Sequence, residues 1–173
     1  RVGRYINPAF SEQALAALIS RRDASETFAP DYQAQLIEEE CGPEYFSLLA
    51  ALDTDVRNSC HDAVAALAGA GLVRAIVTTN FDRLCERALD AAGVEHHVFR
   101  RSEEFAELRG LLAGAGSDVE LPLVKVHGSV ERPDSMVDTL QQRVRGLTAD
   151  LEWSLLQLLE RHHVLVIGFS GAD

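Results

Sequence analysis

Cysteine is scarce in this chain, and its three thiols, Cys41, Cys60 and Cys85, stand far apart with no C-x-x-C pair. That spacing offers neither a zinc knuckle nor a disulfide framework, and reduced thiols suit a cytoplasmic location. Long apolar runs are missing too: none reaches the ~18 residues that mark a membrane-spanning helix. The opening Arg1-Val2-Gly3-Arg4-Tyr5 lacks an apolar secretory core, so no signal peptide is expected. Basic residues are the minority, 16 against 27 acidic ones, for a formal net charge of −11. A general binder of phosphate backbones needs the opposite balance, so direct nucleic-acid binding by this domain is not expected. A small anionic ligand held by backbone amides stays open.

What is present describes an ordinary globular chain. Its 173 residues are 47% hydrophobic and 25% charged, which suits one domain over residues 1–173 with a sizeable core. Residue 1 is not Met, and the chain stops at Gly171-Ala172-Asp173, where a loop should be starting. The expectation is a piece of a longer protein.

Helical and strand-like segments alternate. Residues 10–22 predict a helix capped by Ser11, with Leu15, Leu18 and Ile19 as its apolar stripe. Tyr32 to Glu40 and Glu44 to Leu52 predict two more, around Gly42-Pro43. Asn58 or Ser59 caps a helix through Ala68, closed by Gly69 and Gly71. Further helices are expected over 83–92, 103–113 and, capped by Thr148, through Arg161. Strands are expected over 73–77, 97–99, 122–126 and 163–167, while 131–146 is polar and unassigned. Strands separated by helices imply parallel pairing through crossovers. The fold class is therefore α/β: a three-layer, Rossmann-like parallel sheet flanked by helices.

The stretch from Leu72 to Asp82 organises the chain. Leu72 to Val77 is apolar except for Arg74, and then Thr78, Thr79, Asn80 and Asp82 follow almost at once. In open parallel sheets ligands sit just beyond the carboxyl ends of the strands, so this polar cluster is a site candidate. Two more strand ends carry such signals: His127-Gly128 after residues 122–126, and Gly168-Phe169-Ser170 after 163–167. Right-handed crossovers would bring the three ends to one rim.

In that order the three signals resemble the T-x-N-x-D, H-G and G-x-S motifs of the sirtuin superfamily, over roughly residues 58–173. Ser135-Met136-Val137 and the closing Gly-Phe-Ser-Gly-Ala-Asp are more similar to the bacterial sirtuin-like domains than to the protein deacylases. The resemblance implies NAD as substrate and cleavage of its nicotinamide–ribose bond. It implies Asn80 and His127 as catalytic residues. Asn80 would orient water or the ribose hydroxyls; His127 would serve those hydroxyls or act as general base. Thr78, Thr79, Phe81, Asp82, Gly128, Gly168, Phe169 and Ser170 would bind NAD, with Asp82 near the carboxamide and Gly168 and Ser170 toward the adenosine half.

The residue types suit that chemistry. Cleaving a glycosidic C–N bond builds positive charge on the ribose, much as oxygen glycosides do. An amide can hold a water without being consumed, an imidazole can take its proton near neutrality, and a glycine lets backbone approach a ligand closely. Blander readings stand beside these. Asn80 or Asp82 can simply cap the helix that begins at Arg83. His127 and Ser170 can be turn residues, and His61, His96, His97, His162 and His163 read as structural or ordinary.

Two departures from the family pattern shape the expectation. Gly114-Ala115-Gly116-Ser117 resembles the family's phosphate loop but ends a helix instead of opening one, so it reads as a helix cap. The phosphate loop itself would lie before Arg1. No cysteine follows Cys85, and residues 129–148 are too few for a zinc module plus a peptide-binding strand. No metal is expected, and acyl-lysine chemistry is disfavoured. The expected function is NAD hydrolysis to nicotinamide and ADP-ribose, as a regulated effector in bacterial anti-phage defence. A sensor domain or partner protein, or homo-oligomerisation, would control it. The alternatives are an NAD or ADP-ribose sensor without turnover, an NAD-dependent deacylase or ADP-ribosyl transferase, and a structural domain that has lost its activity.

Overall fold

The structure, a computed structural model, describes residues 30–42, 44–114 and 120–168. The helix expected over 10–22 lies outside these residues. In chain order the elements are α1 (Pro30–Cys41), α2 (Glu44–Leu48) with a 3₁₀ turn at Leu49–Leu52, α3 (Ser59–Gly69), β1 (Ile76–Thr78), α4 (Leu84–Ala91), β2 (His96–Phe99), α5 (Ser102–Ala113), β3 (Leu121–Lys125), a 3₁₀ turn at Pro133–Ser135, α6 (Leu140–Val144) and α7 (Ala149–Arg161). The chain divides into two compact units: Arg1–Ala51 with Val137–Gly146, and Leu52–Met136 with Leu147–Asp173.

In the first unit, α1, α2 and α6 are the described helices. The segment left unassigned as polar contains a complete capping box. Thr139 Oγ1 accepts the Gln142 N–H at 3.4 Å, and Gln142 Oε1 accepts the Thr139 N–H at 3.1 Å. Tyr45 is buried and its hydroxyl donates to Asp138 at 2.5 Å. Burial, and then the Asp138 carboxylate, push its phenol far above the ordinary value.

The second unit is a parallel sheet in the order β1-β3-β2. Ile76 stands opposite Leu123, and Phe99 opposite Val124. Neighbouring residues of a strand point to opposite faces, so Leu123 and Val124 divide the core in two. On the Leu123 face, Ala65 and Ala68 of α3 and Ala88 and Leu89 of α4 pack with Ile76. On the Val124 face, Phe105 and Leu108 of α5 and Leu151 of α7 pack with Phe99. Helices therefore cover both faces, and the three-layer α/β architecture expected from the sequence is the one observed. The α3 helix starts as its sequence predicts. Asn58 Oδ1 accepts the N–H groups of Cys60 and His61, and His61 Nδ1 accepts the Asn58 N–H at 3.2 Å.

One strand expectation is overturned. Residues 163–167 form no strand: Val164, Leu165, Val166 and Ile167 are 62%, 71%, 67% and 47% exposed, and among the described residues the sheet holds β1, β3 and β2, the last of them the strand expected over 97–99. β-branched composition suits a pleated surface, but a strand exists only where its N–H and C=O groups find a neighbour. Among the described residues this segment has none. β1 is also shorter than its apolar run. It begins at Ile76, and Leu72 is 72% exposed.

Candidate active site

The loops that follow β1 and β3 meet at one end of the sheet. The ladder continues one step past β3, where the Val126 N–H donates to the Thr78 carbonyl at 3.0 Å. Beyond it, the Val130 N–H donates to the Phe81 carbonyl at 3.0 Å, and the rings of Phe81 and His127 lie 6.3 Å apart, tilted by 39°. The structure thus brings the Thr78–Asp82 and His127–Gly128 segments together. Gly168 is exposed, with φ of 70°. Phe169 and Ser170 lie outside the described residues.

Within the first loop each polar group has its own task. Thr78 Oγ1 accepts the Asn80 N–H at 3.1 Å, which bends the chain just past the strand. The Asn80 side chain is exposed. Asp82 Oδ1 accepts the Leu84 N–H at 3.0 Å at the start of α4, where Arg83 holds the N-cap position but its side chain does not cap the helix. The capping alternative weighed for Asn80 or Asp82 therefore falls to Asp82. Thr79, Phe81, Asp82 and His127 are half-buried.

The second loop turns on Gly128. Its φ is 81°, and a Cβ built there would lie 2.2 Å from the Ser135 carbonyl oxygen. Only glycine combines that backbone angle with that approach. Ser135 fixes the turn from outside: its Oγ accepts the Ser129 N–H at 3.0 Å and donates to the Arg132 carbonyl at 2.7 Å.

Two groups beneath the loops escape a reading of sequence alone. Lys125, the last residue of β3, is fully buried, and its ammonium donates to Glu86 Oε1 at 2.8 Å, to the Phe81 carbonyl at 3.3 Å and to the Asp82 carbonyl. The signal for it was one cation inside the apolar Leu121–Val126 run. Beside this pair, burial, and then the charges of Glu86 and Asp82, push the Cys85 thiol up to about 11, so it is no nucleophile at neutral pH.

Ion pairs brace the rim. Arg83 joins Asp53 at 2.5 Å and Glu131 at 2.9 Å, Glu131 joins Arg100 at 2.6 Å, and Arg87 joins Asp53 at 3.0 Å. Burial opposes the charge on Asp53, but hydrogen bonds from the Arg83 side chain and backbone, with the charges of Arg83 and Arg87, hold its carboxyl below the ordinary value. A carboxyl depressed by folding adds stability that is present above its unfolded value, about pH 4, and is lost as pH falls through the folded value. Asp53→Asn should therefore lower the melting temperature at pH 7 and flatten its decline below about pH 4. Parallel slopes for both proteins on acid titration would show that the Arg83–Asp53 pair is not coupled to folding.

Among the described residues no cluster of three or more His, Cys, Asp or Glu side chains could hold a metal ion, and no helix is long and apolar enough to cross a membrane.

A parallel α/β sheet with a T-x-N-x-D loop and an H-G turn meeting at the carboxyl ends of adjacent strands defines a nucleotide-handling domain of the sirtuin type. A family profile described as "SIR2-like domain" matches residues 74–173, more than half of the chain, and the chain belongs to that family. SIR2-like domains bind NAD, and the function of this chain is accordingly NAD-related. No curated protein matches the chain.

Proposed function

We propose that this domain hydrolyses NAD to nicotinamide and ADP-ribose. The observation that supports the reading best is the meeting of two loops from adjacent strands. It sets an exposed amide, Asn80, on a segment tied by Val130 to the turn carrying His127. An amide can position the attacking water and an imidazole can take its proton, and both suit hydrolysis of an N-glycosidic bond. In the reaction the bond between ribose C1′ and the nicotinamide nitrogen breaks, and its electron pair stays with nicotinamide. Water oxygen bonds to C1′, and the water proton passes to His127 and then to solvent. Thr78, Thr79, Phe81, Asp82 and Gly128 would line the nicotinamide and ribose end. Asp82 would face the carboxamide with the oxygen that Leu84 does not use. Gly168, Phe169 and Ser170 would serve the adenosine half.

Unregulated NAD destruction is toxic, so the domain would act as a controlled cytoplasmic effector in bacterial anti-phage defence, switched by a sensor domain, a partner protein or homo-oligomerisation. The test is nicotinamide release by the full-length, activated protein. Equal amounts of nicotinamide and ADP-ribose, with no acylated peptide added, are expected. Release that requires an acylated peptide would establish a deacylase instead, and label transferred to protein an ADP-ribosyl transferase. Saturable NAD binding without products would establish a sensor.

A further inference from the structure

We propose that Lys125 is the positioning residue that holds Asn80 and His127 in one geometry; this deepens the hydrolase reading above and rests on it. Lys125 is completely buried, and its partner Glu86, in the first turn of α4, is 8% exposed. A buried ion pair is a poor source of stability, because desolvating both charges offsets their attraction, and an apolar pair of similar volume is often as stable. The pair therefore calls for another reason, and the acceptors of the ammonium supply it. Its three donors go to Glu86 Oε1 and to the carbonyls of Phe81 and Asp82. No apolar side chain could engage those two carbonyls.

The consequence for Asn80 is that the chain is fixed on both sides of it. On one side, Thr78 Oγ1 accepts the Asn80 N–H at 3.1 Å, and the Thr78 carbonyl takes the Val126 N–H at 3.0 Å. On the other, the Phe81 carbonyl is shared between the Lys125 ammonium at 3.3 Å and the Val130 N–H at 3.0 Å. Lys125 also stands two residues before His127 on the same strand end. One side chain thus ties the Asn80 loop to the backbone that carries His127. Glu86 holds the ammonium in place from the helix that the loop enters.

The test replaces both charges at once. In the full-length protein, Lys125→Met with Glu86→Met leaves no buried charge unpaired and should fold, whereas Lys125→Met alone strands Glu86. With the double variant folded, kcat for nicotinamide release should fall about 10²-fold, the cost typical of a slight misplacement of reacting groups, with a much smaller change in KM. A role confined to stability would shift the melting temperature and leave kcat per folded molecule intact. Amide hydrogen exchange gives a readout independent of turnover: Asn80, Leu84 and Val130 should exchange faster in the double variant. Wild-type kcat in the folded double variant, or unchanged protection at these three amides, would overturn the proposal. If the unsubstituted protein releases no nicotinamide, the hydrolase reading fails by itself, and the exchange of the three amides alone decides whether Lys125 clamps the loop.

Discussion

His127→Ala should cut nicotinamide release by roughly 10²–10⁴-fold in the full-length, activated protein, the range for removal of a positioned acid–base group. Asn80→Ala should cut it by roughly 10²-fold or more, the cost of misplacing the attacking water. The fold should survive both. Asn80 is exposed and α4 takes its side-chain bond from Asp82, so its truncation should change stability by no more than about 0.5 kcal/mol. His127 is half-buried beside the Phe81 ring, and its loss should cost about 1 kcal/mol. Set against a domain stability of ~5–15 kcal/mol, neither would unfold the protein. Thermal melts and turnover at saturating NAD, measured on the same preparations, separate the effects. Near-normal turnover in His127→Ala would mean that the histidine is a turn residue. The same result for Asn80→Ala would move the site away from this end of the sheet.

Gly128→Ala should damage both stability and activity, and Gly93→Ala is its control. Both glycines have positive φ, 81° and 67°. At Gly93 nothing lies within 4 Å of an added Cβ, so the substitution carries only the backbone term, about 1–2 kcal/mol. At Gly128 the Cβ would meet the Ser135 carbonyl oxygen at 2.2 Å, its carbon at 2.5 Å and its Oγ at 2.7 Å. Relieving that overlap adds about 1–3 kcal/mol and moves backbone on both sides of the turn. Denaturant melts should rank the two variants in that order, and only Gly128→Ala should lose NAD cleavage along with stability. Equal destabilisation by the two would show that the turn relaxes around Ser135 without cost.

Much of this arrangement was legible in the chain. The abrupt change from Ile76-Val77 to Thr78-Thr79-Asn80 marks a strand end because buried strands tolerate no such cluster, and His127-Gly128 does the same after β3. What local pattern could not reveal was partnership. In the sequence Lys125 is one charge in an apolar run; that it faces Glu86, 39 positions earlier, depends on packing between β3 and α4. Residues 163–167 carry strand-like side chains, yet side chains do not specify which backbone lies alongside. The Thr139–Gln142 capping box was readable in principle, but its position soon after Pro133, in a polar stretch, hid it. Ser135 is a similar case: nothing in its neighbours announces that its carbonyl lies where a side chain at position 128 would have to go.

The sheet order also governs when this unit can form during synthesis. β1 and β2 are made first, yet among the described residues each is hydrogen-bonded only to β3, the last strand to emerge. Both halves of the core close on two adjacent residues of that strand, Leu123 and Val124. At ~5–20 residues per second, a ribosome needs roughly 1–5 s to travel from the end of β2 to the end of β3. Through that interval β1 and β2 have, among the described residues, no strand to pair with. The Leu123 half of the core can therefore close only once β3 arrives, and the Val124 half waits further for Leu151 of α7.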